Sequence, residues 1–287
     1  MIAINEVVLR SVAMRGLLLA AVVLGMVQSA QAADLPDLPV LRGALTDGLT
    51  SSRVNWQGYY IGAQAGVGTS DMNFTGSTST IAARLLSGLA IEDTGQVSSW
   101  PLLGKTSEHG QGWGGFAGYN SQWDDVVIGV ELSYMHGQFG GSQTGSMGRS
   151  FVDSLGYTDD VTYSATGTMS ISDMGTLRAR AGYAVNQFLP YMFGGIALGQ
   201  ADIVRSAHIF GSGTNVNAAP GFQVIPFDYS ATSAQYNHLI YGYTAGLGVD
   251  VQLLAGLFLR AEWEYIRFTS AVDTSINTVR AGLGYKF

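Results

Sequence analysis

Thr278-Val279-Arg280-Ala281-Gly282-Leu283-Gly284-Tyr285-Lys286-Phe287 is the stretch whose reading decides the fold. Side chains of an extended strand alternate between its two faces. Here one face takes Val279, Ala281, Leu283, Tyr285 and Phe287, and the other takes Thr278, Arg280, Gly282, Gly284 and Lys286. A soluble strand seldom separates so completely. A strand with lipid on one side and a polar lumen on the other must do so.

Working outward, residues 257–266 repeat the pattern, with Leu257, Leu259, Ala261, Trp263 and Tyr265 opposite Arg260, Glu262 and Glu264. Residues 241–251 set Tyr243, Ala245, Leu247, Val249 and Val251 against Gly242, Thr244, Gly246, Gly248 and Asp250. Residues 126–135 oppose Ile128, Val130, Leu132 and Tyr134 to Gly129, Glu131 and Ser133, and residues 176–183 oppose Leu177, Ala179, Ala181 and Tyr183 to Thr176, Arg178, Arg180 and Gly182. Residues 59–67, 112–122 and 189–199 complete the set, the last two too rich in glycine to assign faces. Eight strands is an even number, which returns the chain to the side it started from, as bacterial barrels do.

The connections alternate in length. Short links fall at Trp123-Asp124-Asp125, around Asn186-Gln187-Phe188 and at residues 252–256. Between them, residues 75–109, 140–167 and 200–235 form stretches of 35, 28 and 36 residues rich in Gly, Ser and Thr, while a fourth link near 269–275 is short. Short periplasmic turns and long outer loops are the habit of outer-membrane barrels. A soluble lipocalin-like barrel packs its apolar residues inward. Here charges share a face with glycine, which makes that face the lumen. The fold predicted is all-β: an eight-stranded antiparallel transmembrane β-barrel with three long extracellular loops.

Export is written at the amino end. Arg10 and Arg15 precede an 11-residue apolar run at 17–27, then Ser29-Ala30-Gln31-Ala32. A spanning helix needs roughly 20 residues, so the run reads as the core of a signal peptide cut after Ala32. Met14 offers a second possible start. Residues 1–32 are the expected signal peptide, 33–55 a periplasmic tail and 56–287 the barrel. The chain has no Cys, which removes a disulfide framework and a lipid-modified cysteine. Charged residues make up only 12% of it, about half the usual share, and no later apolar run approaches helix-spanning length. Loss of Glu6, Arg10 and Arg15 with the signal takes the net charge from −7 to −8. That balance argues against nucleic acid as a partner.

The inward faces collect Glu131, Asp250, Glu262 and Glu264 against Arg178, Arg180, Arg260, Arg280 and Lys286. The interior of an eight-stranded barrel is just wide enough for side chains, so these charges are expected to pair and plug it. Trp56, Tyr60, Trp263 and Tyr265 are expected at the membrane interfaces, where amphipathic rings settle. Ile81, Leu85, Leu86 and Leu89, spaced helically around Arg84, suggest a short amphipathic helix in the first loop. It either folds into the barrel, touches headgroups or covers its own apolar side chains, the last being favoured. His136 and His238 lie near predicted outer strand ends with Asp159, Asp160 and Asp228 in neighbouring loops. No nucleophile motif accompanies them and no His pair has ligand spacing, so no catalytic, cofactor or metal site is assigned.

The chain resembles the small outer-membrane surface antigens of alphaproteobacteria, the immunogenic proteins and porin-family barrels with an OmpA-like eight-stranded architecture. The residues that carry this are Ala33-Asp34-Leu35-Pro36, Trp56-Gln57-Gly58-Tyr59-Tyr60-Ile61-Gly62, the pair Gly194-Gly195 and the closing run 279–287. The resemblance implies integral residence in the outer membrane of a Gram-negative cell. It also makes Tyr285 and Phe287 the aromatic signal read by the barrel-insertion machinery. The function expected first is a structural surface protein presenting loops for envelope integrity, antigenicity or adhesion. A small passive diffusion porin is the alternative and an outer-membrane enzyme comes last. Expected partners are outer-membrane lipid and lipopolysaccharide, the insertion machinery, and a host or phage ligand at the loops.

Overall fold

A computed structural model describes residues 54–254, 256–270 and 272–287. The expected signal peptide and all but the last two residues of the expected tail lie outside the described residues. Eight antiparallel strands close into a barrel in chain order, with the last pairing to the first. They are β1 (Gly58–Asn73), β2 (Lys105–Trp123), β3 (Val126–Val152), β4 (Thr158–Tyr183), β5 (Phe188–Thr214), β6 (Val224–Leu254), β7 (Leu257–Thr269) and β8 (Asp273–Lys286). Between β1 and β2 lie two short helices, α1 (Ser79–Leu85) and α2 (Ala90–Gly95).

Each alternating segment read from the sequence falls within one strand, except that Phe287 lies one residue past the end of β8. At the short-turn end, Asp124 and Asn186 take φ of 53° and Gly256 takes 81°. Asp, Asn and Gly are the residues that accept this left-handed region in a tight hairpin. The outer face is apolar along Ile61, Val67, Ile128, Val130, Ile196, Leu247, Leu259, Val279 and Leu283, all exposed to the surroundings. Tyr59, Trp123, Tyr183, Phe188 and Tyr285 ring it near the turns, and Trp113, Tyr243 and Trp263 stand farther up. This is an aromatic-girdled lipid band.

Strand length is where the molecule departs from the reading of its sequence. β1, β2, β7 and β8 have 16, 19, 13 and 14 residues. β3, β4, β5 and β6 have 27, 26, 27 and 31. Since a crossing takes about 9–11 residues, the four long strands continue outside as a curved wall. The stretches 140–167 and 200–235 are therefore mostly strand, closing on turns at 153–157 and 215–223. They read as loops because they are interspersed with Gly, Ser and Thr. The pattern is nevertheless period two, and outward hydroxyls pair across β3 and β4: Ser142 with Thr168 (3.0 Å), Thr144 with Thr166 (3.2 Å) and Ser146 with Ser164 (2.9 Å). Where the wall leaves the cylinder, the register shifts on three neighbouring pairings, between His136 and Phe139, Ile171 and Asp173, and Ala201 and Ile203. Bulges are the usual device for bending strands at a barrel rim.

Candidate functional site

Two layers fill the inside of the barrel. The lower one, within the membrane, holds the charges. Glu131 on β3 accepts a hydrogen bond from Tyr60 Oη (2.7 Å), from Arg178 Nε (2.9 Å) and from Arg260 Nη1 (2.7 Å). Arg178 on β4 also donates to both oxygens of Glu262 at 2.8 Å and to Glu264 at 3.3 Å. Asp250 on β6 takes Arg180 Nη2 (2.7 Å) and Arg260 Nε (2.8 Å). Arg280 on β8 forms an ion pair with Glu264. Tyr191 Oη donates to Glu262 (2.6 Å) and Thr244 Oγ1 to Glu264 (2.7 Å).

Four carboxylates thus meet four guanidiniums, and every one of the eight residues is at most 3% exposed. The set is neutral as a whole, and each guanidinium has at least one carboxylate. Buried ions need this, because an isolated charge in low dielectric costs several kcal/mol. Arg also suits the place better than Lys: its planar fork spans two acids and stacks on rings. Arg178, Arg180 and Arg260 lie over Phe193, Tyr191 and Phe116 with Cζ to centroid distances of 4.0, 3.7 and 3.9 Å.

These rings belong to a buried aromatic cluster of Trp56, Tyr60, Phe116, Tyr191, Phe193 and Phe258. Inward glycines make room for it. A Cβ at Gly62 would stand 2.3 Å from Phe116 Cζ, and one at Gly248 would stand 2.4 Å from Tyr191 Cζ. At Gly62, Gly246, Gly248 and Gly284 the missing side chain is where a ring from the neighbouring strand lies.

The upper layer is apolar. Met72, Phe74, Phe139, Val161, Tyr163, Met169, Ile171, Ile203, Ile209 and Phe268 line the inner side of the wall and rim. Ile81, Ala82, Leu86, Ile91, Val97 and Trp100 from residues 74–104 pack into them. Tyr163 Oη donates to Thr78 Oγ1 (2.9 Å), Arg205 Nη1 to the Ser77 carbonyl (3.0 Å) and Phe74 N to the Gly104 carbonyl (2.9 Å). The first connection is thus folded into the mouth. This corrects the favoured expectation of a loop covering only its own side chains. The concave wall leaves an apolar surface that a self-contained loop would leave wet.

Several assigned residues sit elsewhere than their sequence context suggested. Trp56 and Tyr60, expected at the interface, are inside the barrel at 2% and 3% exposure. Parity decides this, because Tyr60 shares its face with Gln64 and lies opposite Tyr59 and Ile61, while Trp56 packs edge-on to Phe258 at 6.2 Å. Trp263 is on the outer face at 47% exposure, and Tyr265 is half-buried beside Tyr243 (6.4 Å between rings). Lys286 stays out of the charge layer. It is the last residue of β8, and its Nζ donates to the Gln57 carbonyl at 3.2 Å. Tyr285 and Phe287 are exposed on the outside and meet edge to face at 5.3 Å. His136 Nδ1 is 2.9 Å from Asp173 Oδ1, and His208 Nε2 is 2.9 Å from Asp228 Oδ1. His238 pairs with Ala201 far along the wall from Asp159, which pairs with Gly213. The histidines and aspartates weighed for catalysis are therefore not brought together.

Phe116, Tyr191 and Phe193 were missed because their strands are glycine-rich. The signal was in their neighbours, whose inward positions are glycine at Gly62, Gly246 and Gly248.

A girdled apolar exterior around a ring of eight antiparallel strands defines an integral β-barrel of the outer membrane. The chain belongs to the outer membrane protein beta-barrel domain family, whose model matches residues 18–287. It is similar to the 25 kDa outer-membrane immunogenic protein of Brucella ovis, 28% identical over 61% of this chain. That match spans 62% of the Brucella protein, under two thirds of its length. A 22 kDa outer membrane protein of Rhizobium leguminosarum bv. viciae is 25% identical over 81% of this chain and 79% of its own. Among solved structures, Neisserial surface protein A is similar at 14% identity, covering 80% of this chain and 97% of its own, with a TM-score of 0.36.

Proposed function

We propose that this protein is a closed, non-catalytic barrel that holds a rigid β-wall outside the cell as a structural surface protein and antigen. The observation that carries the reading is the neutral set of eight buried charges across the lumen, with the folded first connection packed above it. A diffusion pore needs a continuous wet path, and two successive filled layers oppose one. The names of the Brucella relatives, immunogenic proteins of the outer membrane, agree with a surface role. The wall's tips expose Leu155, Val216 and Phe222, apolar side chains available to a host or phage ligand. Tyr285 and Phe287, outward and exposed, suit recognition by the insertion machinery.

The absence of native cysteine makes the test clean. Single cysteines at Leu155 and Ala219, in the two wall turns, should react with a membrane-impermeant maleimide on intact cells, and one at Asp125 only after permeabilisation. Labelling at Asp125 on intact cells would invert the topology and remove the surface role.

A further inference from the structure

The outer wall over β7, β8, β1 and β2 is concave in two adjoining places. The lower concavity, about 720 Å³, is lined by Val67, Val279 and Trp263 below and by Thr69, His109 and Asn277 above. The upper one, about 420 Å³, has Lys105, Arg267, Tyr265, Asp71 and Asp273 on its walls. Strand register makes them one trough. Gln111, Val67, Val279 and Trp263 form a cross-strand row, His109, Thr69, Asn277 and Tyr265 the next, then Ser107, Asp71, Ser275 and Arg267. The final row holds Lys105, Asn73 and Asp273. Polarity therefore rises in order, from two valines and Trp263 beside one amide, through imidazole, hydroxyl and amide, to two cations and two carboxylates.

That gradient lies on the lipid side of the wall, at the end farther from the short turns, where the apolar band gives way to water. We propose that the trough is a docking site for a phosphorylated glycolipid of the outer leaflet. Its acyl chains lie along Val67, Val279 and Trp263, and its phosphates are held by Lys105 and Arg267. The chemistry argues for this occupant over a zwitterionic phospholipid. Two cations on flexible stems, three strands and one cross-strand row apart and so about 16 Å apart at the backbone, can reach phosphates at either side of a disaccharide head. Arg267 is free to turn to a phosphate, since its contact to Asp273 is long, at 3.8 Å, and both side chains are about half exposed. Asp71 and Asp273 leave the rim near neutral without ligand, so divalent cations bridging the phosphates strengthen the binding. The site is independent of whether the lumen is closed.

The test uses the mature barrel in phosphatidylcholine nanodiscs doped with diphosphorylated lipid A and read by native mass spectrometry after transfer to detergent. Wild type should retain lipid A, and the double variant Lys105→Ala/Arg267→Ala should retain at least tenfold less at unchanged heat-modifiable mobility on gels. Lys105→Arg should hold wild-type levels, which separates loss of charge from loss of fold. Dephosphorylated lipid A should be lost, and millimolar inorganic phosphate should not displace the intact lipid, which distinguishes a headgroup from free anion. Equal retention by wild type and the double variant, equal retention of the dephosphorylated lipid, or displacement by phosphate alone would each overturn the proposal.

Discussion

The two layers of buried side chains inside this barrel are built by opposite chemistries. In the membrane the lumen is filled by four acids, four arginines and the rings between them. Outside, the hollow of the wall is filled by Phe74, Leu86, Phe139 and their apolar neighbours. The location explains the choice. A membrane strand already turns its apolar face to lipid, so its inward face is the remaining place for polar groups. Beyond the membrane the outward face meets water, as the Ser and Thr pairs of β3 and β4 show, and the apolar residues turn inward. The wall is an ordinary soluble sheet growing from an inside-out one.

The layers should fail differently. The largest effect is expected from Arg178→Ala. It would leave Glu131, Glu262 and Glu264 short of a shared partner, and breaking a buried pair costs roughly 3–5 kcal/mol. Thermal unfolding in detergent, followed by the gel-mobility shift, should come well below wild type, and the variant should admit small ions. Leu86→Ala should cost about 2–5 kcal/mol as a core cavity but locally, giving faster proteolysis within residues 74–104 and no change in conductance. A conducting Leu86→Ala barrel would mean that the upper layer is the gate and would erase the distinction between the two.

A smaller, pH-dependent effect belongs to the wall's tip. Asp159 is buried opposite Phe151 and Gly213, and its Oδ2 has no hydrogen-bond partner. Burial first, then Asp153 and Asp160, raises its pKa to about 6. A carboxyl raised on folding stabilises fully below its unfolded pKa, near 4, and that contribution is lost as pH rises through about 6. Amide exchange in the β3–β4 hairpin should therefore quicken between pH 4.5 and 7.5 beyond the intrinsic base-catalysed rise. Asp159→Asn should remove the excess, worth on the order of 1–3 kcal/mol; an unchanged excess would place its origin elsewhere. The smallest effect is expected from Thr144→Ala on the wet outer face, within about 0.5 kcal/mol in the same unfolding assay. A larger loss would make the hydroxyl ladder structural.

The membrane half was legible because lipid forces one face to be uniformly apolar, so Arg178, Arg180, Glu262 and Arg280 declared their side by parity alone. Tyr60 was equally legible by parity, and the habit of placing aromatics at interfaces obscured it. The wall was not legible, because an exposed sheet face of Ser and Thr and an inner face part-built of Gly have the composition of a loop. Its apolar partner came from another segment, the helical spacing of Ile81, Leu85, Leu86 and Leu89. No local pattern shows what such a spacing packs against. Trp56 lies before the first strand, where alternation gives no face at all.

Planar-bilayer recording on refolded mature protein tests the central claim most directly. Wild type should leave the bilayer at baseline or pass only small, unstable currents, while Arg178→Ala inserted at equal density should conduct above it. Large, stable steps from wild type that are unaltered by the substitution would contradict the closed lumen and make the protein a passive diffusion porin.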